Sequence, residues 1–142
     1  MQKILVPFDG SKHAMRALDY AVALAKKGDS TSIHVLTVMP EPTVYGEIEV
    51  YVTPGKMEAL ERGQGADILK QATTVLDRAG ISYTSEVAVG DASTTICKRA
   101  EELGSDAIVM GTRGMGPVGN LVMGSVATKV VHLTKLPVTL VK

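Results

Sequence analysis

Residues 106–110, Asp-Ala-Ile-Val-Met, run without a break into Gly111-Thr112-Arg113-Gly114-Met115-Gly116-Pro117-Val118-Gly119-Asn120-Leu121-Val122-Met123-Gly124-Ser125-Val126. The stretch Ala107-Ile108-Val109-Met110 has the pattern of a strand covered on both faces, and so does Ile4-Leu5-Val6. Ser125 opens a helical pattern, so the glycines must carry the chain from a buried strand to a helix start. Such a unit gathers bare backbone N–H groups and the positive end of a helix dipole in one place, as an anionic phosphate requires. The run therefore reads as a phosphate cradle.

Spacing separates the kinds of phosphate loop. Gly119-Asn120-Leu121-Val122-Met123-Gly124-Ser125 has P-loop glycines, but Ser125 stands where the phosphate-reaching lysine belongs. Gly114-Met115-Gly116-Pro117-Val118-Gly119 matches the dinucleotide fingerprint. That motif needs an acidic residue about 20 positions later, where this chain reads Val138-Thr139-Leu140 and ends. A Walker ATPase and an NAD site are both disfavoured.

A third pattern, G-x2-G-x9-G-[ST] ahead of a helix and a final strand beginning Pro137-Val138, resembles the ATP-binding branch of the universal stress protein family. The resemblance extends over nearly the whole chain. Lys3-Ile4-Leu5-Val6-Pro7-Phe8-Asp9-Gly10-Ser11 is similar to the family's first strand and acidic turn, Ser32 to Val38 to the second strand, and Val89-Gly90-Asp91 to the end of the third. Arg113 stands at a loop position that varies in the family, and Pro117 with Val118 replaces longer or basic residues, but no motif glycine is lost. The resemblance implies a Rossmann-like fold of one domain, residues 1–142: an α/β, doubly wound, open parallel sheet of five strands in the order 3-2-1-4-5. It also implies an adenosine pocket at Pro7, Asp9 and Val38, with phosphates on Gly111, Gly114, Gly124 and Ser125. With Met110, Arg113, Val126 and Ala127 these form the candidate nucleotide-binding set. ATP, with or without Mg²⁺, is the implied ligand, and AMP is the alternative. A homodimer paired through the last strand, from Leu136 to Lys142, is implied as well.

Organisation along the chain agrees with that fold. Ile81, Tyr83, Ser85, Val87 and Val89 alternate with Ser82, Thr84, Glu86 and Ala88, as in a strand nearer an edge. Ala14, Leu18, Ala21, Val22 and Ala25 share one helical face, Leu69, Ala72, Leu76 and Ala79 a second, and Ile96, Ala100 and Leu103 a third. Gly28, Gly80 and Gly104 stand where left-handed C-caps belong, and Ser11, Asp91 and Ser125 where N-caps belong. Strand and helix alternate, so the crossovers should be right-handed and the sheet parallel. Residues 40–56 are too long for an ordinary connection and read as a flap near the site, with Ile48-Val50-Val52 able to form an extra strand. Gly63 and Gly65 should fray or kink the start of the second helix.

Composition excludes several classes. With 142 residues, 45% of them hydrophobic, a single domain can bury about two thirds of its unfolded surface. Lys and Arg number 15 against 15 Asp and Glu, so no global field draws nucleic acid or an anionic membrane. A lone Cys97 fits a reducing compartment, and no apolar run approaches the length of a membrane span, so the expected location is the cytoplasm. His13, His34 and His132 lie on different elements without ligand-spaced partners, so no metal site is expected, and they read as surface or packing residues. Cys97 reads as a small core hydrophobe. Paired carboxylates and a base for an attacking water are lacking, so no catalytic residue is assigned. The expectation is an ATP-binding, nucleotide-dependent regulatory protein acting on a protein partner. A slow ATP hydrolase and a nucleotide-free dimeric interaction module are the alternatives.

Overall fold

The computed structural model describes residues 2–28, 30–41, 54–113 and 123–142, the side chains of 54–61 apart. Strands and helices alternate as β1 (Gln2–Pro7), α1 (Lys12–Lys27), β2 (Thr31–Met39), α2 (Pro54–Ala79), β3 (Tyr83–Val89), α3 (Ala92–Glu102), β4 (Ala107–Gly111), α4 (Ser125–Leu133) and β5 (Val138–Val141). The five strands form one sheet in the order β3-β2-β1-β4-β5, parallel at every pairing. The expected α/β doubly wound architecture is therefore the one observed. Central β1 pairs with β2 from Gln2↔Thr31 to Pro7↔Leu36, and with β4 at Ile4↔Ala107 and Leu5↔Ile108.

The period of two along each strand divides the apolar residues between two layers. Ile4, Val6, Ile33, Val35 and Val109 pack under α1 and α2, against Leu18, Ala21, Leu69, Ala72 and Leu76. Leu5, Leu36, Ile108 and Met110 face the other way, against Ile96 and Ala100 of α3 and Ala127 and Val130 of α4. Because β1 and β4 are covered on both faces, their sequences read as unbroken apolar runs. Edge strand β3 has no fully buried residue: Thr84 and Ser85 are exposed and the rest are partly covered.

Several local expectations are corrected. Gly28 is extended, φ −105°, not left-handed. The left-handed residue is Ser30, φ 75°, whose carbonyl accepts the Gln2 N–H at 3.2 Å and so sets the entry to β2. Gly80 and Gly104 do take the left-handed conformation, at φ 67° and 66°. α2 runs through Gly63 and Gly65 without fraying. Gly65 is buried against the sheet, where an added Cβ would lie 2.6 Å from Val87 and 2.9 Å from Met39, so its lack of a side chain lets the helix approach. Burial of Leu69 and Leu76, worth about 1.5–3 kcal/mol each, outweighs roughly 1 kcal/mol of helix propensity at each glycine. The expected flap is helical from Pro54 onward, proline's fixed φ being suited to a first helical turn. Residues 42–53, with the Ile48-Val50-Val52 alternation, lie outside the described residues.

Candidate functional site

The chain runs outward from β1 through β2 to β3, then returns to the other side of β1 for β4 and β5. The carboxyl ends of β1 and β4 thus flank the topological switch point, where open sheets bind ligands. Beyond Pro7, the Phe8 N–H still bonds the Leu36 carbonyl at 2.9 Å, and the Phe8 carbonyl accepts the Thr37 hydroxyl at 2.8 Å. This fixes the half-buried Asp9 at the strand end. Asp9 Oδ1 accepts the Ser11 N–H at 2.9 Å, closing a short turn around Gly10, φ 84°. Ser11, not Asp9, caps α1: its Oγ accepts the Ala14 N–H at 3.1 Å.

On the other wall, β4 ends in buried Met110 and Gly111. A Cβ on Gly111 would lie 2.8 Å from the carbonyl carbon of His13 and 2.9 Å from its oxygen, so this glycine admits the start of α1. Thr112 follows, buried, and is tied on both sides. Its N–H bonds the Val141 carbonyl at 2.9 Å, and its carbonyl accepts the Gly124 N–H at 2.6 Å. Arg113 is half-buried, and its enclosed Nε has no hydrogen-bond partner among the described residues. Gly114 lies outside the described residues.

Gly124 is the N-cap of α4, which corrects the expectation that Ser125 fills that position. Having no side chain, Gly124 caps nothing, and its own N–H is already used by Thr112. The helix's first internal bond is Thr128 N–H to the Gly124 carbonyl, 3.1 Å, reinforced by the Thr128 hydroxyl at 2.9 Å. The N–H groups of Ser125, Val126 and Ala127 therefore precede the helical ladder and take no partner within it. Their side chains differ: Ser125 and Val126 are exposed, whereas Ala127 belongs to the core and can serve a ligand only through its backbone. Met110 likewise lies in the core layer under α3 and α4.

A cleft of about 420 Å³ opens where β2 and β3 end and α3 begins, lined by Val38, Pro40, Glu41, Gly90, Asp91 and Ala92. Val38 is the one member of the candidate nucleotide set among them; Pro40 and Glu41 open the expected flap, and Asp91 is the expected cap of α3. All sit where β2 and β3 stop and α3 starts, and the strand-end rule is the signal that could have joined them into one site. Asp91 is occupied as the α3 cap, accepting the Thr94 hydroxyl at 2.8 Å, the Thr94 N–H at 3.1 Å and the Ser93 hydroxyl at 3.0 Å. Those hydrogen bonds, the Thr94 hydroxyl first, hold its carboxyl below the usual carboxylate range. Cys97 is half-buried in α3, and burial pushes its thiol up, away from a reactive thiolate. No group of three or more His, Cys, Asp or Glu side chains among the described residues is placed to hold a metal ion.

The whole of residues 1–142 matches the family model described as the Universal stress protein family. Over 146 residues the chain is 32% identical to universal stress protein YxiE of Bacillus subtilis, with 99% of this chain and 98% of that protein covered. Its structure resembles hypothetical protein MJ0577 with a TM-score of 0.81 at 26% identity, covering 99% and 95% of the two chains. It also resembles a universal stress protein from Archaeoglobus fulgidus in complex with dAMP, TM-score 0.72 at 21% identity, covering 100% and 98%.

Proposed function

The chain belongs to the universal stress protein family, and from that premise we propose that it is an adenine-nucleotide-binding regulatory protein of the stress response, with ATP as the ligand and AMP as the alternative. The observation that carries this reading is the start of α4 at the switch point. Three N–H groups there have no partner in the helix, and the helix lacks the side-chain cap that Ser11 gives α1 and Asp91 gives α3. A phosphate satisfies such donors and complements the helix dipole. The enclosed Arg113 Nε, without a hydrogen-bond partner among the described residues, favours an anion at the same wall. Asp9, with the cleft at Val38, offers the adenosine end, and the dAMP held by the Archaeoglobus protein agrees with an adenine nucleotide.

The proposed action is a population shift: the nucleotide stabilises one arrangement of the crevice, and a protein partner reads that surface in the cytoplasm. In this reading turnover is at most slow, since the glycine run has Ser125 where a Walker lysine would stand. Edge strand β5, in the proposed dimer, pairs with its copy across a two-fold axis. Denaturing the purified protein and separating released nucleotides by chromatography distinguishes ATP from AMP, and titration calorimetry of stripped protein measures affinity. A stripped protein that binds neither nucleotide at millimolar concentration refutes the reading.

A further inference from the structure

On the face of the sheet under α3, His34 of β2 sits in a cross-element cluster. His34 Nδ1 is 2.6 Å from the Thr84 hydroxyl of β3. Its Nε2 is enclosed, makes no well-formed hydrogen bond, and lies 3.4 Å from Glu86 Oε1. Glu86 is in turn gripped by Arg99 of α3, with Nε to Oε1 at 2.6 Å and the second guanidinium nitrogen to Oε2 at 3.0 Å. Arg99 also reaches Glu102 at 3.2 Å. Among the described residues, the charged groups facing the ring are thus Glu86 from β3 and Arg99 from α3, with Glu102 behind; β1 sets Leu5 opposite in register.

The three elements joined here lead into the cleft, whose walls are Val38 of β2, Pro40 and Glu41 beyond it, Gly90 and Asp91 just past β3, and Ala92 at the start of α3. Val38 lies four residues along β2 from His34, about 13 Å, and Gly90 lies the same number beyond Glu86. Ala92 lies seven residues before Arg99, about 10 Å along α3. The cluster is a rivet that seats α3 on β2 and β3 beneath the cleft. Its carboxylate already serves Arg99 with both oxygens, so a proton on His34 adds a cation where the anion is spent. We infer that protonation of His34 loosens the seat of α3 and weakens nucleotide binding in the cleft above it, making the site acid-sensitive. This rests on the nucleotide reading and names a regulation of that site.

The charges have the required signs at neutral pH. Burial lowers the His34 pKa from its ordinary value, Glu86 offsetting only part and Arg99 adding to the depression. Burial pushes the Glu86 carboxyl up, but the Arg99 hydrogen bond and charge more than reverse this, so it stays ionised. Because the folded His34 value is depressed, its stabilising contribution is fully present above about pH 6.5, the unfolded value, and is lost as pH falls through the folded pKa.

The experiment compares wild type with His34→Gln, which keeps a polar group of similar reach. ATP affinity is measured by titration calorimetry at pH 7.5 and 5.5, and amide exchange across α3 is measured relative to α1 in the same buffers without nucleotide. The ATP phosphate itself titrates near pH 6, so the quantity read is the wild-type fold-change divided by that of the variant. The expected ratio is about fivefold weaker binding at pH 5.5, the low end of ordinary coupling between sites. α3 should lose protection at acid pH in wild type only. NMR titration of His34 in wild type should track both. Equal pH dependence of affinity in the two proteins, or unchanged α3 protection while His34 titrates, overturns the inference. Absence of ATP binding at pH 7.5 instead sinks the nucleotide reading and with it the ligand half of this one, while the exchange result still decides the role of His34.

Discussion

Gly111→Ala separates a packing glycine from a ligand glycine. The added Cβ would stand 2.8 Å from both the carbonyl carbon and the Cβ of His13 and 2.9 Å from its oxygen. These are backbone and near-backbone atoms on the first turn of α1, and α1 buries Ala14, Ala17 and Leu18 against the sheet. Relief therefore requires shifting a packed helix, the kind of overpacking that costs about 1–3 kcal/mol. At about 2.1 cal/mol/K per residue, unfolding 142 residues changes entropy by about 0.3 kcal/mol/K, so the melting temperature should fall by about 3–10 °C. The assay is calorimetric or circular-dichroism melting without nucleotide. Gly63→Ala is the matched control, with nothing within 4 Å of its built Cβ and a helical position, and it should raise stability by about 0.5–1 kcal/mol. If Gly111→Ala melts with wild type while losing ATP, the glycine is there for the ligand, and the steric argument fails.

Three other outcomes are expected. Gly124→Asp should lower ATP affinity by tenfold or more while leaving the apo melting temperature unchanged or slightly raised, because its carboxylate caps α4 and repels phosphate; unchanged affinity by calorimetry places the phosphates elsewhere. Saturating ATP at about 100 times its dissociation constant should add roughly 2.7 kcal/mol to stability, with release of ADP near background in a coupled assay; rapid multiple turnover contradicts a binding protein. Val138→Pro should shift sedimentation from dimer to monomer, since the ring removes a β5 backbone donor, and an unaltered dimer rules out pairing through that strand.

Strand identity was legible because burial writes itself into sequence: Ile4-Leu5-Val6 and Ala107-Ile108-Val109-Met110 admit no polar residue, and both proved interior to the sheet. Capping by Ser11 and Asp91 was legible for the same local reason, a side chain bonding three residues on. What was hidden depends on contacts between elements. Nothing near Gly28 announces that the left-handed turn falls at Ser30, since the bond that fixes it comes from Gln2. His34, Glu86 and Arg99 are 52 and 13 residues apart in sequence and meet only through the order β3-β2 and the seat of α3. The cleft walls Pro40 and Glu41 carry no motif; the length of the connection they open, read as a flap near the site, and their position at a strand end are their signal.

The candidate glycine motif resolves, among its described members, into two different physical tasks joined by one hydrogen bond. Gly111 admits α1 at the end of β4, and Gly124 withholds a side-chain cap at the start of α4. Between them the Thr112 carbonyl takes the Gly124 N–H at 2.6 Å, fixing the helix start beside the strand end. That bond occupies the Gly124 N–H, so at the start of α4 the N–H groups of Ser125, Val126 and Ala127 are the ones the helix leaves for the proposed anion. Thr112 also bonds Val141 of β5, so the base of the proposed anion site and the edge strand share one residue. A displacement of Thr112 by ligand would therefore be felt at β5 through backbone hydrogen bonds alone, a direct route by which occupancy of the crevice can reach the proposed dimer edge.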